Sequence, residues 1–191
     1  MMKAHTGKTI THVLTILMCA VIIAALACCF NPYFTVSEPS HFILNPNPSP
    51  DNYTLIDLMW METPMITEVF EEQYPGFDIN LYVTNMVLAF IFGAATVITC
   101  IWHFANEFRR YPCMTSGVFT NICAFCWSIF SLLGYLNNAM LDAGVPAFMG
   151  IRTVIIALTI AGTVLVVIRF VMWLLTELQV SKERKARLAL L

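Results

Sequence analysis

The stretch VIIALTIAGTVLVVIRFVMWLL, residues 154–175, decides the fold. It carries a single charge, Arg169, in 22 residues. About 20 mainly apolar residues suffice for an α-helix to cross a bilayer core at 1.5 Å per residue. Helix is the form such a segment must take, because each unpaired peptide group in hydrocarbon costs several kcal/mol and a helix pairs them internally. Three further stretches meet the same length, 10–30, 81–104 and 117–136, and none of the four contains Asp, Glu or Lys.

The rest of the chain agrees. Of 191 residues, 59% are hydrophobic and 12% charged, against roughly 45–50% and about 25% in soluble domains. That excess excludes an ordinary soluble domain and a disordered chain. The expectation is an all-α membrane protein, a four-transmembrane-helix bundle. Its divisions are an N-terminus over 1–9, spans at 10–30, 81–104, 117–136 and 154–175, a first outer loop over 31–80, an inner turn over 105–116, a second outer loop over 137–153 and a tail over 176–191.

Charge order sets the orientation. No Lys or Arg occurs between Lys8 and Arg109, while Glu38, Asp51, Asp57, Glu62, Glu68, Glu71, Glu72 and Asp78 all fall in 31–80. Basic residues are retained on the cytoplasmic side. They occur here at Lys3 and Lys8, at Arg109 and Arg110, and at Lys182, Arg184, Lys185 and Arg187, so both termini are expected to be cytoplasmic and the acidic loop outside. Lys3, Lys8 and the small-residue run Ala25-Leu26-Ala27 also fit a cleavable secretory signal, but the length of 10–30 favours a retained helix. Arg169 stands about six residues, or roughly 9 Å, before the inner end of its span. Its long stem is therefore expected to carry the guanidinium to the inner headgroups.

Helices in lipid associate where small residues let backbones approach. Each span has a pair four apart, on one helix face: Ala20/Ala24 continuing to Cys28, Ala89/Gly93, Ala124/Ser128, and Ala157/Ala161 beside Gly162. Asn85, Asn121, Thr96 and Thr99 are candidates for interhelical hydrogen bonds of about 0.6 kcal/mol each.

The first outer loop opens with prolines at 32, 39, 46, 48 and 50, which fix φ and remove donors, so this part is extended or turned. Asn52-Tyr53-Thr54 is an N-glycosylation sequon, whereas proline blocks Asn47-Pro48-Ser49. Beyond it, the spacing of Leu55, Leu58, Met59 and Glu62, then of Ile66, Val69 and Phe70, predicts two short amphipathic helices broken at Pro64. Strands are the alternative, for instance at His41-Phe42-Ile43-Leu44 pairing with the second outer loop. Eight carboxylates without a basic neighbour must be solvated, bind cations such as calcium, or meet a basic partner. The candidate partner-binding segment is the acidic, aromatic stretch holding Trp60, Glu62, Glu68, Glu71, Glu72 and Tyr74.

Motifs of catalysis are missing. Cys123-Ala124-Phe125-Cys126 has the spacing of thiol oxidoreductases, including membrane-embedded vitamin K epoxide reductase, but 31–80 offers no outward cysteine pair to relay electrons. Packing is the better reading of these thiols. Cys100 and Cys113, flanking the inner turn, are positional candidates for palmitoylation. Cysteines and histidines do not meet at zinc-ligand spacings, and there is no phosphate-binding loop, nucleophile elbow or basic nucleic-acid surface. No metal, cofactor or enzymatic activity is expected, and no nucleic-acid partner. Membrane lipids, a protein at the outer loop and self-association are.

Four helices with both ends inside, a first outer loop near 50 residues and a shorter second one give an outline that resembles the claudin and peripheral myelin protein superfamily. The resemblance is one of topology. The claudin loop signature of Trp, Gly-Leu-Trp and two cysteines is missing, Trp60 standing alone, and so is the Cys-Cys-Gly of tetraspanins. What the outline implies is lateral assembly and contact through outer loops: a non-enzymatic plasma-membrane protein in adhesion, or an organiser or auxiliary subunit. An oligomeric cation-selective channel or paracellular pore is the rival, and a membrane thiol or lipid enzyme the third reading.

Overall fold

The computed structural model describes residues 4–30, 32–36, 51–54, 79–109, 114–139 and 151–188. Four helices dominate: α1 Ala4–Cys28, α2 Ile79–Phe108, α3 Met114–Ala139 and α4 Ile151–Leu188. All four contain windows long and apolar enough to cross a membrane. This is an all-α membrane protein of four spanning helices.

Local chemistry sets several of the ends. After α1 the chain tightens, with Cys29 N–H donating to Leu26 O at 3.1 Å and Phe30 N–H to Ala27 O at 3.2 Å, and Pro32 then cannot continue a helix. Helix α4, at 38 residues, is about 57 Å long and exceeds any bilayer core. The part expected as a tail continues the helix, because 177–188 is built mainly from strong helix formers. Gln179 adds an i,i+4 hydrogen bond to Glu183 at 3.2 Å.

Between α1 and α2, β1 (Pro32–Val36) pairs antiparallel with β2 (Asp51–Thr54), Thr35 opposite Asn52 and Val36 opposite Asp51. Pro32 begins its strand, where a missing N–H is tolerated. The ribbon forms within the first loop. The run His41–Leu44, the helices expected beyond Thr54 and residues 140–150 of the second outer loop lie outside the described residues.

The helices form a closed ring in chain order, α1 to α2 to α3 to α4 and back to α1, with the most extensive seams between α2 and α3 and between α1 and α4. Met18, Ile22, Ala25, Ala89, Cys100, Ala124, Trp127 and Val166 make one buried cluster. At its centre, the indole of Trp127 reaches from Gly93 of α2 to Gly162 of α4. A Cβ on either glycine would stand 3.0 Å from Trp127 Cδ1 or 2.4 Å from Trp127 Cη2, so glycine is what admits the ring.

The small-residue pairs divide. Ala89, Gly93, Ala124 and Ser128 are buried between helices. Ala20, Ala157 and Ala161 are exposed and Ala24 and Cys28 half-buried, which corrects the expectation that all four pairs pack this bundle. The inward face of α4 is set by Ile155, Thr159, Gly162, Val166, Arg169, Trp173 and Thr176, and that of α1 by Thr11, Thr15, Met18, Ile22 and Ala25. On a repeat of 3.6, the outward alanines fall on the opposite side. On the four helices Ile16, Ile98, Ile101, Ile122, Ile160 and Val164 are also exposed, an apolar exterior that suits lipid and not water.

Candidate functional site

Arg169 is fully buried, at 0% exposure. The expectation that it reaches the headgroups is therefore corrected: its register on α4, three residues past Val166 and four before Trp173, turns it into the bundle, and two acceptors hold it there. Its Nε donates to Thr15 Oγ1 at 2.8 Å, and its Nη1 donates to Asn121 Oδ1. Thr15 has spent its own proton on Thr11 O at 2.7 Å, and Thr11 in turn donates to Gly7 O at 3.0 Å, so the Thr15 oxygen is free to accept. One guanidinium thus ties α4 to α1 and α3.

A guanidinium stays charged at any physiological pH and presents five donors. Among the described residues no carboxylate lies within ion-pair distance of Arg169; Glu107 instead pairs with Lys8 at 3.6 Å and is hydrogen-bonded to His12 at 2.5 Å. Three buried nitrogens around Arg169 have no acceptor among the described residues: Arg169 Nη2, Asn121 Nδ2 and Trp173 Nε1. Burying charge and donors in this way costs several kcal/mol unless something answers them.

Toward the start of α1, polar groups continue. Glu107 of α2 joins Lys8 and His12 of α1, and the His12 ring meets Phe104 edge-on at 5.5 Å. His103 Nδ1 and Ser116 Oγ lie 3.0 Å apart, linking α2 to α3. A cavity of about 30 Å³ opens there, lined by Lys8, Thr11, His12, His103, Glu107, Trp173, Thr176 and Glu177. Arg169 and Thr15 each stand one helical turn past a lining residue, Trp173 and Thr11 respectively. Beyond the arginine, Met18, Ile22, Trp127 and Val166 fill the bundle.

Of the four candidates for interhelical hydrogen bonds, Asn121 makes one, its Oδ1 accepting from Arg169 of α4. Thr96 and Thr99 instead bond carbonyls of their own helix, Phe92 O at 2.7 Å and Ala95 O at 2.9 Å, because a threonine hydroxyl reaches back one turn more readily than across a seam. Asn85 is buried. Cys100 is 2% exposed within the core cluster, so the palmitoylation expected of it is corrected: it sits on the inward face of α2, between Thr96 and His103, where no acyl chain can reach. Cys19, Cys28, Cys29, Cys100, Cys123 and Cys126 are free thiols. Asn52 lies in β2 opposite Thr35. Trp60, Glu62, Glu68, Glu71, Glu72, Tyr74 and Cys113 lie outside the described residues.

The arginine site was missed in the sequence because Arg169 was read alone. The available signal was its neighbours at helical spacing, namely Thr11 and Thr15, Ser116 and Thr120, and Arg169, Trp173 and Thr176, which give α1, α3 and α4 a polar inward stripe at the same end. Compared with protein-family models, with curated proteins and with solved structures, the chain matches none.

Proposed function

We propose that this four-helix membrane protein is non-enzymatic and acts at the plasma membrane, its first loop engaging a protein partner as an adhesion organiser or auxiliary subunit. The observation that carries this reading is the charge partition: eight carboxylates and no Lys or Arg in 31–80, on a chain whose described spans expose many large apolar side chains. Such a segment is complementary to a basic surface, and complementarity of this kind governs encounter and register more than raw affinity. The bundle supports the reading as a fixed mount, with Trp127 lodged between two glycines and Arg169 joining three helices.

Lateral assembly has its own support. Ala20, Ala157 and Ala161 are exposed on α1 and α4, which are neighbours in the ring, and small residues facing lipid let a second helix approach closely. The topological outline shared with the claudin and peripheral myelin protein superfamily points the same way.

Proximity labelling from the first loop in native cells names the neighbours. Reversing charge at Glu68, Glu71 and Glu72 to lysine is expected to abolish their capture while surface abundance is unchanged. Undiminished capture overturns the recognition role. A cation-selective conductance in reconstituted vesicles, lost on the same substitutions, would replace this reading with the pore.

A further inference from the structure

We propose that Cys19 of α1 and Cys100 of α2 form a reversible disulfide, so that oxidation by peroxide staples these two helices together. The inference is independent of the first loop. It rests on the register of the seam. His12 meets Glu107 at 2.5 Å, and a Cβ on Gly93 would stand 3.1 Å from Leu26 Cδ2. Residues 12, 19 and 26 are seven apart on α1, and 107, 100 and 93 are seven apart on α2. Seven residues are nearly two whole turns, so in antiparallel helices Cys19 faces Cys100 midway between the two observed contacts. The side chains meet there: Cys19 packs against the buried cluster that contains Cys100, and the two thiols share a hydrogen bond. A bond of about 2.0 Å then needs only side-chain movement.

The two sulfurs differ in access. Cys19 is half-buried and Cys100 is 2% exposed, so the oxidant reaches Cys19 and Cys19 reaches Cys100. The oxidant is hydrogen peroxide. The Cys19 sulfur attacks one peroxide oxygen, the O–O bond breaks, and the departing hydroxide takes the thiol proton and leaves as water, giving a sulfenic acid. The Cys100 sulfur then attacks that of Cys19; the S–S bond forms as the S–O bond breaks, and the second hydroxide leaves as water with the Cys100 proton. Two thiols lose two electrons and two protons, and one peroxide becomes two waters. The Arg169 guanidinium, held by Thr15 one turn from Cys19, interacts with both sulfurs, so the anionic sulfur that attacks in either step faces a cation. The bond crosses the least extensive of the ring's four seams and ties the α1–α4 pair to the α2–α3 pair.

The test uses the full chain in nanodiscs, reduced, freed of reductant, titrated with hydrogen peroxide, acid-quenched and mapped by peptide mass. The expected product is a Cys19–Cys100 linked peptide, two hydrogens lighter than its parts, formed at peroxide concentrations that leave Cys126 a thiol and reversed by dithiothreitol. Cys100→Ala should halt the reaction at a Cys19 sulfenic acid, trapped by dimedone. Cys19→Ala should leave Cys100 unoxidised, because peroxide reaches it only through Cys19. If either variant does not fold, the peptide map of the parent chain decides. Absence of the linked peptide, its formation only where Cys126 is also oxidised, or a bond from Cys100 to Cys123 instead overturns the proposal, as does oxidation of Cys100 in Cys19→Ala.

Discussion

Gly162 of α4 lies beneath the six-membered ring of Trp127, where an added Cβ would stand 2.4 Å from Cη2 and 2.8 Å from Cζ3. No flexible chain end can yield at that contact, because the indole is itself held at its other edge by Gly93. Gly162→Ala is accordingly expected to destabilise the bundle by about 1–3 kcal/mol, the usual cost of overpacking a filled core. Combined with Trp127→Phe, which removes the second ring, the loss should be smaller than the sum of the two single effects. Reversible unfolding in mixed micelles measures all three variants, and strict additivity would show that the two residues do not compete for space.

The hold on Arg169 makes a prediction that magnitudes can separate. A neutral interhelical hydrogen bond in a membrane averages about 0.6 kcal/mol, whereas one to a charged group is worth about 1.5–3 kcal/mol. Asn121→Leu and Thr15→Val should each cost about 2 kcal/mol, nearer the charged value. Either change made together with Arg169→Met should cost less, since an apolar side chain leaves no orphaned charge. A double-mutant cycle between Arg169 and Asn121 reads the coupling directly.

At the cavity mouth the two partners of Glu107 are unequal. Its carboxylate is 2.5 Å from His12 and 3.6 Å from Lys8, whose side chain is 52% exposed. Exposed pairs contribute about 0–1 kcal/mol, so Lys8→Met should leave Tm almost unchanged. Glu107→Gln removes the negative charge from both contacts of a side chain that is 25% exposed and should lower stability by about 1 kcal/mol. Raising ionic strength with sodium gluconate should narrow the difference between Glu107→Gln and the parent chain.

Burial at Cys100 predicts silence. In native micelles a membrane-permeant maleimide should leave Cys100 unmodified while reacting faster at half-buried Cys126, and denaturation in SDS should equalise them. Acyl exchange on cell extracts should give the same signal from Cys100→Ser as from the parent chain. A fall in that signal would return Cys100 to the list of acylated thiols.

Asn52 tests orientation. If 31–80 faces outward, expression in eukaryotic cells should yield a protein whose mobility increases after glycosidase treatment, and Asn52→Gln should remove that shift. A shift that persists in Asn52→Gln would place the glycan elsewhere.

The four spans were legible in the sequence because they answer to a solvent rule: a segment like 154–175, with one charge in 22 residues, has no low-energy form in hydrocarbon other than a helix. Charge order gave an expected orientation by a similarly local rule. What the sequence could not decide was which side of each helix faces inward, since lipid and bundle interior are alike apolar and hydropathy does not distinguish them. Ala157 and Ala161 have the same spacing as Ala89 and Gly93, yet the former face outward and the latter lie buried. Only the tertiary structure ranks these faces, through Trp127 wedged against Gly93 and Gly162. Arg169 is the sharpest case. By position alone its stem reaches the headgroups, and by packing it is sealed among three helices, because Thr15 and Asn121 are distant in sequence and become its acceptors only when the ring closes.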